Sequence, residues 1–201
     1  MARAYTSALR SEQAKATGLR ILEAAARVLA RPLPDFSIPA VADEAGVAVA
    51  TVYRHFKTKT DLMDGLTEHY AGLLASAAGI TLDETLPPSA SLDQVYPTVR
   101  ALFERQASLD PAMQAAFATQ MADELRRKYR DVRLRRVESW IGGITKGMDP
   151  KDRQHFVELF VVLGSSASRR AFDVLIGASP ARAAEVIAWA VKRLARPTSV
   201  D

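Results

Sequence analysis

Apolar residues in this sequence recur at spacings of three and four, and nowhere alternate with polar residues for long enough to predict a β-sheet. The first such stripe runs from Ile21 to Leu29 and ends at the proline-containing segment 31–34. Alanine, the strongest helix former, occurs 35 times, whereas β-branched and aromatic residues are sparse. The pattern predicts an all-α chain of about nine helices, which include helices near 91–108, 111–121, 122–146, 151–177 and 180–195.

The composition excludes several classes of site. Cysteine is absent and there are three histidines, so the sequence offers no disulfide, no thiol nucleophile and little for a metal site. We expect no metal and no cofactor. The N-terminus lacks the apolar core of a signal peptide, and no uncharged stretch reaches the roughly 18 residues of a membrane span. We therefore expect a cytoplasmic protein with no membrane partner.

The net charge of +4 is unevenly distributed. Residues 1–60 carry nine lysines and arginines against five acidic residues, which accounts for the whole excess. A second basic cluster, Arg126–Arg136, is interpreted mainly as a solvated helix face, with a polyanion contact as the alternative. Clustered positive charge in the N-terminal quarter favours a polyanionic partner such as nucleic acid.

The stretch Ser37–Leu62 predicts two short helices joined by a turn at Gly46, which is the pattern of a helix-turn-helix. Ser37 is a suitable N-cap for the first helix, and the second covers about Val49–His55. A third helix is expected to begin at the capping-box sequence Thr58–Asp61. In a helix-turn-helix the second helix enters the major groove of DNA, and here it would present a tyrosine, an arginine and a histidine next to two lysines.

The order and spacing of four motifs resemble the TetR family of bacterial transcription regulators over about Ile21–Leu66. The motifs are Ile21-Leu22-x-Ala24-Ala25, Ile38-x-x-Val41-Ala42-x-x-Ala45-Gly46-Val47, Thr51-Val52-Tyr53-Arg54-His55-Phe56 and Lys59-x-x-Leu62. The resemblance implies an N-terminal three-helix DNA-binding domain with an N-terminal arm, expected over residues 1–60. It also implies a C-terminal helical domain that binds a small effector and dimerises, expected over residues 61–201.

The resemblance also implies roles for residues of the second helix and of the helix after it. Thr51 and Arg54 would contact bases or backbone, while Tyr53, His55 and Lys59 would mainly contact phosphates. The arginine fork suits the O6 and N7 atoms of guanine. From the residues alone, Tyr53 could instead pack the helix pair through its ring, and His55 could be a local cap.

Three positions depart from the family pattern. Ala48 stands where a serine or threonine usually caps the second helix, and Val49 and Ala50 stand where polar base readers are common. Val49 and Ala50 can touch a thymine methyl group but cannot form bidentate hydrogen bonds. Direct readout of bases is therefore expected to rest on few residues, Arg54 and Thr51. DNA shape and the arm residues Arg3 and Arg10 are expected to contribute the remaining specificity.

The C-terminal residues allow two interpretations. Several aromatic and apolar residues at helical spacing either fill an ordinary core or line an effector cavity together with a few polar groups. The candidate effector residues are Phe103, Gln106, Phe117, Met121, Trp140, Ile144 and Phe160. Apolar stripes near the C-terminus predict a homodimer through residues 151–195, in which two helices from each subunit form a four-helix bundle.

These features favour a ligand-responsive, dimeric transcription regulator, most simply a repressor that binds a pseudo-palindromic operator in double-stranded DNA and is released by an apolar or amphipathic effector. An enzyme is disfavoured because no catalytic constellation is present, neither a glycine-rich phosphate loop nor a helical HExxH pairing. The alternative is a small-molecule-binding all-α protein or enzyme that does not regulate transcription.

Overall fold

A computed structural model describes residues 2–31, 36–79 and 90–195, with the backbone alone described for residues 2–9, 120–122 and 125. Every regular element in these ranges is a helix, which confirms the predicted all-α class. The helices are α1 (Ala2–Leu29), α2 (Ile38–Ala45), α3 (Val49–His55), α4 (Lys59–Ala78), α5 (Leu92–Ser108), α6 (Pro111–Ala116), α7 (Gln120–Lys128), α8 (Arg130–Ile141), α9 (Pro150–Leu163), α10 (Ser166–Ile176) and α11 (Pro180–Leu194).

Two of the long helices expected in the C-terminal half are each divided in the structure. The expected helix 151–177 is broken after α9, where Ser165 adopts an extended conformation and its hydroxyl accepts a hydrogen bond from the Ser168 N–H at 3.1 Å. The expected helix 122–146 is replaced by the end of α7 and by α8, which ends before Gly142. The prediction of about nine helices was therefore too low for the described residues, because these local stops were overlooked.

The N-terminal segment that the sequence analysis treats as an arm is helical. Arg3 and Arg10 both lie on α1, which runs without interruption from Ala2 to Leu29. Alanine and other good helix formers continue the helix upstream of the apolar stripe, so the residues predicted to form the arm belong to a helix.

Two compact units are present. Unit 1 contains residues up to Tyr70 together with 110–127, and unit 2 contains residues 71–109 and those from Lys128 onward. This division differs from the boundary expected after residue 60, because α6 packs against α1 within unit 1. Helix α4 contributes residues to both units.

The core of unit 1 forms where α1 packs against α2, α3 and α6. Ile21, Val28, Val41 and Val52 are completely buried there. Burial of one face of each short helix supplies the stability that a helix of seven or eight residues lacks in isolation. The core therefore fixes which face of α2 and α3 remains exposed.

The core of unit 2 is built mainly by α5 packing against α11, with α8, α9 and α10 around them. Val95, Val99, Phe103, Ile141 and Ile187 are fully buried in this cluster. Within the described ranges, no single helix is long and apolar enough to cross a membrane, and only the bent pair α10–α11 reaches that length and composition, by those two criteria alone.

Candidate functional site

Helix α2 has a side-chain cap at its start and a glycine turn at its end. The Ser37 hydroxyl accepts a hydrogen bond from the Ala40 N–H at 3.3 Å, which satisfies one of the free donors of the first turn. Gly46 ends the helix with φ of +63°, a conformation that side-chain-bearing residues rarely adopt. The Val47 N–H then donates to the Ala42 carbonyl at 3.0 Å. The resulting tight turn directs the chain into α3, as the sequence predicted.

Helix α3 begins without a side-chain cap, because Ala48 occupies the N-cap position. Its Val52 side chain is completely buried, whereas Tyr53 is 49% exposed and Arg54 is also exposed. Val49 and Ala50 are exposed in the first turn. The uncovered face of α3 thus carries a phenol, a guanidinium and small apolar groups, a surface that can enter a DNA groove.

Thr51 and His55 are half-buried rather than exposed. The His55 ring lies against α1, since a Cβ built on Gly18 would be 3.4 Å from the His55 Nδ1 atom. A Cβ at position 18 would therefore be in van der Waals contact with the imidazole. His55 therefore packs the end of α3 against α1 as well as facing outward.

Phe56, directly after α3, is seated against a second glycine. A Cβ built on Gly65 of α4 would lie 2.8 Å from the Phe56 Cε1 atom, closer than real Cβ atoms approach. A side chain at position 65 would therefore displace the Phe56 ring. Gly65 is not among the residues predicted from the sequence, where the available signal is an unexplained glycine inside a predicted helix.

Lys59, expected to contact a phosphate, already has partners within the protein. Its Nζ atom donates a hydrogen bond to the Phe36 carbonyl oxygen at 2.7 Å and lies 4.9 Å from the centre of the Phe36 ring. The predicted capping box is present at the start of α4. The Thr58 hydroxyl accepts a hydrogen bond from the Asp61 N–H, and the Asp61 carboxylate accepts one from the Thr58 N–H, both at 3.0 Å. Lys59 thus connects α4 to the residue that precedes the cap of α2.

A carboxylate shared by two arginines fixes α2 to α1. Glu44 accepts hydrogen bonds from Arg27 Nε and Arg31 Nη2, both at 2.6 Å. The hydrogen bond from Arg27 is the main cause that holds the pKa of Glu44 below its ordinary value, against partial desolvation and with help from Arg31. This ion pair orients the helix before the turn and is not evident from the sequence.

The candidate effector residues are divided between the units. Phe103, Gln106, Trp140, Ile144 and Phe160 belong to unit 2, where the Trp140 and Phe160 rings are tilted with centroids 5.7 Å apart. Phe117 belongs to unit 1, where its ring stacks on Tyr70 at 3.9 Å. The backbone of Met121 lies in α7, and its side chain is outside the described residues.

Unit 2 exposes large apolar side chains on its C-terminal helices. Trp189 of α11 is 63% exposed, and Val174 of α10 is 74% exposed. Ile187 and Val191 of α11 are buried in the unit's own core, so neither contributes to this exposed surface. The other large apolar residues exposed on these helices are Leu159, Val162, Leu175, Ile176 and Leu194.

Residues 21–66 match the model of a protein family described as bacterial regulatory proteins, tetR family. The match covers the end of α1, the helix-turn-helix and the start of α4. It agrees in extent with the motifs that carry the resemblance in the sequence. A comparison with curated proteins finds no match.

Two solved structures share the fold. The multidrug binding protein EbrR complexed with imidazole has a TM-score of 0.53 and 23% sequence identity, over 92% of this chain and 98% of that chain. The same protein complexed with malachite green has a TM-score of 0.52 and 22% identity, over 88% and 96% of the two chains. At this identity the likeness establishes a common helical architecture that extends well beyond residues 21–66.

Proposed function

We propose that this protein is a dimeric, ligand-responsive transcription regulator acting in the cytoplasm. The premise is that residues 21–66 match the tetR family of bacterial regulatory proteins. The observation that carries the proposal is the helix-turn-helix of α2 and α3. Its inner face is buried, and its outer face exposes Tyr53 and Arg54. A short helix with that distribution is suited to a major groove.

Arg54 is the proposed base reader, because its exposed guanidinium can donate two parallel hydrogen bonds to one guanine. Val49 and Ala50 supply contacts to thymine methyl groups. Thr51 and His55 are half-buried, so their reach is shorter, and we assign them to the DNA backbone together with Tyr53. Direct readout would then rest on few residues, with DNA shape supplying further specificity.

Dimerisation is proposed through the exposed apolar residues of α9, α10 and α11, within the predicted range 151–195. Side chains such as Trp189 and Val174 are exposed to a degree that is uncommon for a monomer. Pairing across a two-fold axis would cover them and present two α3 helices about 34–36 Å apart, the spacing of successive major grooves. The operator would accordingly be a pseudo-palindrome in double-stranded DNA.

The effector is proposed to bind in unit 2, where Trp140 and Phe160 provide aromatic contacts. The solved structures with the same fold are of a protein described as multidrug binding, in complex with imidazole or malachite green, which supports a small organic effector here. We propose that effector binding releases the operator, so that the protein acts as a repressor.

The test is selection of bound fragments from sheared genomic DNA by the purified full-length protein, followed by titration of the recovered sequence against random duplex at several salt concentrations. We expect one pseudo-palindromic motif, bound at least a thousand-fold more tightly than random DNA. Binding that falls with salt but shows no sequence preference would contradict the operator. No DNA binding at all would favour the alternative of a small-molecule-binding protein.

A further inference from the structure

One buried oxygen atom in unit 2 has no hydrogen-bond partner within the described structure. It is the side-chain carbonyl oxygen Oε1 of Gln106, a residue that is only 4% exposed. The equally buried Thr145 is satisfied locally, since its hydroxyl donates to the Ile141 carbonyl at 3.5 Å. Thr145 thus has a partner for its side-chain oxygen, whereas Gln106 Oε1 has none within the described structure.

An unpartnered buried carbonyl is costly, and proteins rarely retain one without a use. The amide oxygen of glutamine can only accept hydrogen bonds. Its missing partner must therefore be an N–H or O–H donor. A ligand that brings such a donor recovers the lost hydrogen bond on binding.

The neighbourhood of Gln106 further restricts the ligand. Gln106 lies one helical turn after Phe103 on the buried face of α5, and Phe103 belongs to the same cluster as the Trp140 and Phe160 pair. The buried polar residues of the described chain are Thr98, Gln106 and Thr145, so no ionised side chain is fully buried among them. A cationic ligand would therefore lose its hydration without gaining a buried carboxylate.

We infer that Gln106 is the polar anchor of the effector site and that the effector is an aromatic compound without a positive charge that carries an N–H or O–H donor. This inference rests on the proposed effector site in unit 2. The donor would bind Gln106 Oε1, and the aromatic body of the ligand would pack against the apolar side chains of the cluster.

Indole and benzofuran test the inference, because they share a shape and differ in an N–H group against an ether oxygen. Calorimetric titration of the wild-type protein should show indole binding about ten-fold more tightly, which corresponds to about 1.4 kcal/mol. Gln106→Met keeps the side-chain length and removes the acceptor, so the two affinities should agree within about two-fold. Thr98→Val, a matched change at another buried polar residue of α5, should retain the preference for indole.

Equal affinities of the two probes for the wild-type protein, a preference for benzofuran, or no binding of either probe would each overturn the inference. Retention of the indole preference in Gln106→Met would do the same. The wild-type comparison alone is decisive if Gln106→Met does not fold. Operator binding is measured separately on the same preparations, so that failure of the regulator proposal is distinguished from failure of the ligand proposal.

Discussion

The amine of Lys59 is held between the carbonyl oxygen and the ring of Phe36, so at the scale of single residues it is a positioning group for the helix-turn-helix. Phe36 immediately precedes Ser37, the cap of α2. One hydrogen bond therefore links the starts of α2 and α4, on either side of α3 in the sequence. The ammonium group of Lys59 has three N–H donors, so it can also bind a phosphate. Its position is nevertheless fixed by the contacts with Phe36.

Lys59→Ala should lower the stability of unit 1 by about 1–2 kcal/mol, because it removes a charge-assisted hydrogen bond and a cation–π contact. Operator affinity should fall with it. Thermal unfolding and DNA titration at several salt concentrations measure the two effects. Lys57→Ala is the matched control and should leave the unfolding temperature unchanged, since Lys57 is exposed. An unchanged unfolding temperature for Lys59→Ala, with a salt dependence reduced by about one phosphate, would show a phosphate contact alone.

Arg54→Ala should relax the preference at one base position in each half-site, at a cost of roughly 1–3 kcal/mol per contact. The physical reason is loss of a bidentate donor from the exposed face of α3. Titration of the operator and of its single-base variants gives the preference directly. Equal loss of affinity on operator and random DNA would assign Arg54 to the backbone instead.

At the scale of elements, the ion pair of Glu44 with Arg27 and Arg31 fixes α2 on α1. The pKa of the Glu44 carboxyl is lowered in the folded protein, mainly by its hydrogen bond from Arg27. The carboxylate therefore stabilises the folded state above the ordinary glutamate pKa, and this contribution is lost as pH falls through the lower, folded value.

Wild-type protein should unfold at a higher temperature than Glu44→Gln at neutral pH, by about 2–4 °C at most for a partly exposed pair. The difference should persist down to about pH 5 and then shrink as the carboxylate of the folded protein is protonated. Thermal unfolding of both proteins from pH 7 to pH 3 measures it. Glu23→Gln, an exposed position on α1, is the control and should show no such trend. A difference that grows towards acid pH would contradict the ion pair's role.

Elements that depend on local signals were predictable from the sequence. Ser37, Gly46 and the capping box at Thr58 set the ends of α2 and the start of α4, and the bounds of α3 match the expected Val49–His55. The ion pair at Glu44 and the contact of Lys59 with Phe36 join residues 13 to 23 positions apart, so they depend on packing that periodicity does not reveal. The exposure of Val174 on α10 likewise depends on which helix faces are buried in the core of unit 2.

At the scale of the whole molecule, the exposed apolar residues of α9, α10 and α11 should hold two subunits together. Trp189→Asp should yield a monomer at micromolar concentration, because an unpaired carboxylate would be buried in the proposed interface. Sedimentation measures the mass, and operator titration should show a large loss of affinity because a single α3 makes too few contacts. Asp152→Asn, at an exposed charge of α9, is the control. A Trp189→Asp protein that remains dimeric would place the interface elsewhere.

Operator and effector should oppose each other through one coupling free energy. Helix α4 begins at Lys59 beside the helix-turn-helix and contributes its later residues to unit 2, so one continuous helix serves both units. An effector can weaken operator binding only by the difference in its affinities for the two conformations, typically about 1–3 kcal/mol. The effect must be reciprocal, so calorimetric titration of indole should give an affinity about 5- to 150-fold lower when operator is bound. Gln106→Met, which removes the proposed anchor, should bind operator normally and need about ten-fold more indole for the same response. Equal indole affinities with and without operator would mean that the two sites are not coupled, and that operator release needs a different signal.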